Sequence, residues 1–263
     1  MSAAVGPYAI DSGLVPVPPG AENATVRIHN TNTGKAIEAG FPVVNGEASA
    51  YGDFGIDGVA GTAAKIELKF IDPAGSKTGK LFPTGAVTEE IDGVQATCID
   101  AGNPCCFLQA VDLGVAGTIT PQQIEDHPTL SAKLEAIRRK AGVKMGIAET
   151  ESNVPGSVPK IAIVSPPADM TADNVVIRAM SVGQPHKSIP VTVALAAASA
   201  ANVAGSVVAK CLAGGSLVGS EVTINHASGS LVVAADFDAV GTLRSATVFR
   251  TARRLMEGRV FWK

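Results

Sequence analysis

Pro190-Val191-Thr192-Val193-Ala194-Leu195-Ala196-Ala197-Ala198-Ser199-Ala200-Ala201-Asn202-Val203 decides how this chain folds. Alanine and leucine favour helix, and only Thr192, Ser199 and Asn202 interrupt an apolar surface that runs round every side. A helix apolar on all faces has to be wrapped by other elements. The longer run from Ile189 to Ala209 carries Pro190, Thr192, Ser199 and Asn202 and lacks the flanking pattern of a membrane span, so it reads as a buried helix. Strand-length apolar runs lie on both sides of it. Lys160 to Val164 and Asn174 to Met180 precede it; Val218 to Asn225, Ser230 to Phe237 and Ala246 to Phe249 follow. The second half therefore predicts a strongly bent sheet around one central helix.

The first half offers strands in plenty. Thr25 to His29 and Lys35 to Pro42 flank the turn Asn30-Thr31-Asn32-Thr33-Gly34 and read as a hairpin. Ala48 to Phe54 reads as another strand, and Asp57 to Gly61 as a loop. Ile66, Leu68 and Phe70 alternate with Lys65, Glu67 and Lys69, the pattern of a half-buried strand ended by Asp72-Pro73-Ala74-Gly75. Val94 to Ile99 is a strand that delivers Asp100 and Asn103 to its end. Between the halves, Thr120 is placed to cap a helix with Pro121 at its first position, and Pro128 to Ala141 carries Leu130, Leu134 and Ile137 at helical spacing. The only central-helix candidate of the first half starts at residue 1. The backbone N–H groups at such a start point at a ligand in many folds.

Composition narrows the function classes. A 46% apolar, 17% charged chain of 263 residues is globular rather than disordered. A net charge of −3 with no extended basic stripe argues against nucleic acid as a partner. The local cluster Arg250, Arg253, Arg254 and Arg259 is broken by Leu255, Met256 and Glu257 and reads as a solvated face. The N-terminus shows neither a basic nor a continuous apolar region, and four cysteines without a secretory signal suit a reducing, cytoplasmic setting. Cys105 and Cys106 are adjacent and read as core. No cluster has zinc spacing, so no metal is expected.

Eight segments together carry a resemblance: Ser2 to Asp11, Asn30 to Lys35, Phe54 to Gly61, Asp72 to Gly85, Asp100 to Phe107, Met180 to Thr192, Ile224 to Gly229 and Arg250 to Gly258. Through them the chain resembles the PrpF-type isomerases, which include 2-methylaconitate cis-trans isomerase, methylitaconate isomerase and oxalomesaconate tautomerase. The resemblance implies an α+β, diaminopimelate epimerase-like fold: two similar domains, each a curved sheet around a central helix, with the active site between them. Residues 1–104 are expected to form a first, incomplete domain, 105–250 a second, and 251–263 a segment returning to the first through Val260 to Trp262. The family pattern also includes an Arg-Gly-Gly-rich segment with a lysine and a Cys-Gly-Asn element that would precede Met1, so the usual active-site cysteine is not assigned to any residue here. Val193 stands where the family usually has glycine.

The implied reaction is a cofactor-independent proton shift in a small unsaturated di- or tricarboxylate. It requires a base near carbon, donors for an enolate-like charge and sockets for carboxylates. Candidate substrate-binding residues are Ser2, Asn32, Thr33, Gly102, Asn103, Ser181, Gly183, His186 and Lys187. Asn103 can donate to an oxyanion beside Gly102. His186, with Ser181, Gly183 and Lys187, precedes the apolar helix, where helix polarity favours anions. Asn32 and Thr33 also suit a turn for backbone reasons alone. His226 and Ser228 occupy a hairpin and are weaker candidates; Asp72 and Thr84 read as loop stabilisers, His29 and His127 as structural or exposed. The rival reading is a non-catalytic remnant or carboxylate-binding regulatory fragment. Unpaired sheet edges in the first region lead to an expectation of self-association.

Overall fold

The computed structural model describes residues 2–168, 173–213, 217, 219–256, 258 and 261; Met1, Val218, Glu257, Arg259, Val260 and Trp262, which figure in the expectations above, lie outside them. Helix α1 (Ser2–Asp11) opens the chain. Strands β1 (Asn23–Asn30) and β2 (Lys35–Val44) form the expected hairpin, followed by β3 (Glu47–Ala48), β4 (Phe54–Gly55), β5 (Thr62–Ala63), β6 (Ile66–Ile71), β7 (Glu89–Ile91), β8 (Val94–Asp100) and β9 (Pro104–Gln109). Helices α2 (Pro121–Asp126) and α3 (Leu130–Lys144) come next, then β10 (Lys160–Ser165), β11 (Asn174–Ser181) and β12 (Gln184–Pro185). Helix α4 (Val191–Ala201) and the short α5 (Val207–Lys210) lead to β13 (Glu221–His226), β14 (Gly229–Phe237) and β15 (Leu243–Arg250). The main sheet runs in the order β1-β2-β6-β15-β14-β13-β11-β10-β9-β8-β7. No helix among the described residues is long and apolar enough to cross a membrane.

The alanine-rich segment is the buried helix its composition demands. Every residue of α4 from Val193 to Ala201 is buried, and the helix touches β8, β9, β13, β14, β15 and α5. Short side chains let the backbones of these strands close in from several directions. The other side of β8–β10 is covered by α3, whose Leu130, Leu134, Ile137 and Ala141 share one stripe and are all buried. Strands covered on both faces lose the polar alternation of a one-sided sheet. In β9, Cys105 and Phe107 enter the core around α4 while Cys106 and Leu108 enter the core under α3. β10 does the same with Ala162 and Val164 against Ile161 and Ile163. Thr120 caps α2 as its spacing predicts, with reciprocal bonds between Thr120 and Gln123.

One expected strand is broken. Ala48 to Phe54 is not a continuous strand: only its ends pair, in β3 and β4, because the Ser49 hydroxyl bonds the backbone of Tyr51 and turns the chain. Gly52 then lies so close to the next segment that a Cβ would stand 2.8 Å from the Ala63 oxygen.

The segment after β6 is more than a turn. Ala74 bridges Ala101, Gly102 N–H donates to Pro73 O (2.8 Å), and Gly75 N–H donates to Asp100 O (2.8 Å). The fully buried Asp100 carboxylate accepts from the hydroxyls of Ser76 (2.6 Å) and Thr78 (2.9 Å) and from the N–H groups of Lys77 (2.8 Å) and Thr78 (2.9 Å). Strands far apart in the sheet order, β6 and β8, are joined here. Replacing Asp100 with alanine strands several of these donors. Asp100→Ala is expected to lose about 2–4 kcal/mol in urea unfolding; a loss under about 1 kcal/mol would show that the tether is dispensable.

Candidate active site

Strand directions bring several chain ends to the start of α4. β9 and β10 run parallel with Lys160 beside Cys105, so the Gly102-Asn103 turn and the first residue of β10 are neighbours. β11 runs antiparallel to β10 and ends at Ser181. Val182 (φ 52°) and Gly183 (φ 75°) are both left-handed and reverse the chain into β12, the geometry of a two-residue hairpin. His186 follows, fixed by its N–H on Ala179 O (2.9 Å). The Lys160 ammonium donates to the Ser181 hydroxyl. Arg138 holds the loop before Lys160 through the carbonyls of Pro155 (2.8 Å) and Val158 (3.2 Å).

Helix α4 opens without a capping side chain, since Pro190 has none to offer. Its first internal bond is Ala194 N–H to Pro190 O (3.0 Å), so the amides of Val191, Thr192 and Val193 lie ahead of the helical ladder. Gly102 faces Leu195 of this helix: a Cβ there would lie 3.6 Å from its side chain. Helix α1 has Gly6 against Ala39 and Phe41, and Asp11 accepts from the N–H of Ala48 (2.9 Å), itself paired with Val43. The start of α1, with Ser2 half-buried, therefore points toward the Lys35 end of β2. That end carries the Asn32-Thr33 turn and, through the β2–β6 register, neighbours the Asp72–Gly75 crossover that reaches Gly102.

Electrostatics single out two groups. Burial lowers the Lys160 ammonium below its ordinary 10.5, with Arg138 adding to the effect and Cys105 opposing it. Burial, and then the charge of Lys160, lowers His186 below 6.5. His186 is thus a neutral imidazole at neutral pH beside a partly desolvated cation. Burial and the neighbouring Asp100 raise Cys105 far above the usual thiol range, so it is neither nucleophile nor base, as its place in the core suggests.

The structure places the predicted residues unevenly. Gly102 and Asn103 form the β8–β9 turn beside α4, Ser181 ends β11 on Lys160 and His186 is tied back to β11, whereas Gly183 lies with Val182 against Leu134 and Arg138 of α3. Asn32 and Thr33 are engaged in their own turn, Asn32 N–H bonding Asn30 Oδ1 (3.0 Å) and Lys35 N–H bonding Thr33 Oγ1 (3.4 Å). The Lys187 side chain is exposed, while its carbonyl accepts from Ser228 Oγ (2.9 Å). Asp100, delivered with Asn103 to the end of its strand, is occupied by the 76–78 loop. Sequence reasoning passed over Lys160 and Arg178, and read Arg250 as part of a solvated arginine face, which its partial burial corrects. Arg178 interrupts the buried run of β11, a signal that was visible, and donates to the carbonyls of Ile119 (2.8 Å) and Asn225 (3.2 Å). Half-buried Arg250 ends β15 on the same sheet face as Val248, toward α4. Both guanidiniums are close enough to His226 to disfavour its protonation.

The PrpF protein family model matches residues 1–263. The chain belongs to the PrpF family. It is 38% identical to the 3-methylitaconate isomerase of Eubacterium barkeri, covering 99% of this chain and 72% of that protein. It is 35% identical to the (4E)-oxalomesaconate Delta-isomerase of Novosphingobium sp. (strain KA1), covering 98% of this chain and 71% of that protein. A crystal structure of methylitaconate-delta-isomerase superposes with a TM-score of 0.88 at 37% identity, over 98% of this chain and 70% of that one. The α+β, diaminopimelate epimerase-like fold expected from the sequence is the fold of this PrpF chain.

The two lowered histidines predict the direction of a pH effect. His186 and His226 both lie below 6.5, chiefly through burial, so the unfolded chain binds their protons more readily than the folded one. Their contribution is at its most favourable above the ordinary histidine value and is lost as pH falls through it toward the folded values. The thermal midpoint should drop between about pH 7 and pH 5, and less steeply in a His186→Gln/His226→Asn double variant. An equal drop in both proteins would place the proton uptake elsewhere.

Proposed function

We propose that this PrpF chain is an isomerase that shifts a proton within a small unsaturated di- or tricarboxylate, of the methylitaconate, methylaconitate or oxalomesaconate type. The family and the relatives' named activities support the reaction class. The observation that carries the site is the Lys160–Ser181 pair beside neutral His186 at the uncapped start of α4. One substrate carboxylate is held by Lys160, Asn103 and the first amides of α4. Ser2, Asn32 and Thr33, near the start of α1, form the socket for a second, with Gly102 and Gly183 letting backbone approach and Lys187 adding positive charge at the rim.

In the shift, a base takes a C–H proton next to a carboxylate. The C–H electron pair forms a new double bond, the old double bond's electrons move to the far carbon, and that carbon takes up a proton. Charge passes through an enolate-like carboxylate, which donors at the helix start stabilise. No redox step occurs, and the flanking carboxylates supply the delocalisation that a cofactor would otherwise provide. His186 is the group we assign to proton exchange.

The same reading extends to organisation. Residues 1–104 are read as one unit that starts around α1 and sends β7 and β8 across to the strands around α4, and 105–250 as the second; Arg254 returns to the first by donating to Asp11 of α1 (3.0 Å). β1, the terminal strand of the sheet, offers an edge for self-association. Four free, buried thiols suit a cytoplasmic setting.

Incubation with methylitaconate, 2-methylaconitate, trans-aconitate or oxalomesaconate in deuterated water should place deuterium on a substrate carbon, read by proton NMR. His186→Gln should slow this exchange about a hundredfold or more. Lys160→Met should weaken binding by about 1.5–3 kcal/mol in calorimetry. Saturable binding with no exchange in any substrate would support a carboxylate-binding protein and contradict the isomerase.

A further inference from the structure

We infer that His226 and Ser228 are positioning residues that hold His186 in the site through the carbonyl of Lys187, with Asp57 fixing the hairpin on which they stand. The inference rests on the reading of His186 as a site residue, and goes beyond it by assigning how that residue is held.

The geometry is a chain of short contacts between segments far apart in sequence. Ser228 N–H donates to His226 Nδ1 (3.2 Å), closing a tight loop at the β13–β14 turn. That bond aims the Ser228 hydroxyl at Lys187 O, to which it donates (2.9 Å). The His226 ring also lies within reach of the same carbonyl, a weak pull toward the protonated ring that burial outweighs. With Nδ1 accepting, the proton of the neutral ring belongs on Nε2, where it can face Lys187 O. Lys187 directly follows His186, whose own N–H is tied to Ala179 O (2.9 Å). One residue is therefore held from both sides: by β11 before it and by the β13–β14 turn after it.

The turn is itself pinned. Asp57, from the loop between β4 and β5, accepts from Ser230 N–H (2.6 Å) and Ser230 Oγ (3.0 Å). Gly229 (φ 136°) has a backbone that L side chains rarely adopt, and a Cβ there would collide with Asp57. The absence of that Cβ allows Asp57 to sit directly over the turn. An imidazole depends on such support, because freeing the segment exposes the ring to water and lets it leave its position beside Lys160.

The test follows the segment rather than turnover alone. In Ser228→Ala, amide hydrogen exchange over 184–189 should accelerate, by about tenfold for the loss of one hydrogen bond. The His186 imidazole, followed by NMR, should titrate closer to the ordinary histidine value. Ser228→Thr keeps the hydroxyl and should restore both. His226→Asn keeps an acceptor near the Nδ1 position and should behave like wild type in exchange, whereas His226→Leu should resemble Ser228→Ala. Circular dichroism would identify a variant that fails to fold, and then the Thr and Asn variants decide the matter. Unchanged exchange and titration in Ser228→Ala would overturn the inference. A loosened segment with His186 titration shifted, in a protein without isomerase activity, would leave the positioning role standing while the proposed reaction fell.

Discussion

The structure depends on a buried carboxylate. Asp100 lies at the end of β8, wholly removed from water, and its two oxygens take four donors from residues 76–78. A buried charge is tolerated only when its lone pairs are occupied, so the 73–80 segment has to come to it. That segment leaves β6, which pairs with β2 on one side and β15 on the other. Through Asp100, the strands that flank α1 are tied to the strands that pack on α4. The Gly102-Asn103 turn is fixed by the same contacts, since Gly102 N–H ends on Pro73 O.

Around that tether, small residues do the packing. The alanines of α4 allow strands to approach closely, and the helix start is left uncapped among strand ends. The chemistry comes from what those ends carry. Lys160, Ser181 and His186 belong to different strands or connections, yet parallel pairing of β9 with β10 and antiparallel pairing of β10 with β11 make them neighbours. Partial burial then lowers both basic groups, which moves His186 toward the form that accepts a proton and weakens the hold of Lys160 on its own.

Much of the fold was legible because it is local. The all-round apolar pattern of 190–203 requires a wrapped helix, Thr120-Pro121 marks a helix start, and the 30–34 turn separates two alternating strands. The broken strand at 48–54 was not, because Ser49 and the close approach of Gly52 to Ala63 act against a pattern that is otherwise extended. The site was legible in part. His186 and Asn103 stand in compact motifs with visible chemistry. The structural role of Asp100 is not legible, because its partners, 22–24 residues earlier, cannot be identified from spacing. Lys160 looked like an ordinary strand start, and only the pairing with Ser181 gives it meaning. Ser228 meets Lys187 across 41 residues, a contact that no local rule reveals.

The central claim is that carboxylates bind where strand ends meet the start of α4. Titration with tricarballylate, a saturated tricarboxylate that cannot undergo the double-bond shift, tests it directly through backbone amide NMR shifts. The account predicts saturable shifts concentrated at Gly102-Asn103, at Ser181 to Lys187 and at Val191 to Val193. Saturable shifts confined to other parts of the chain, or none at all, would contradict it.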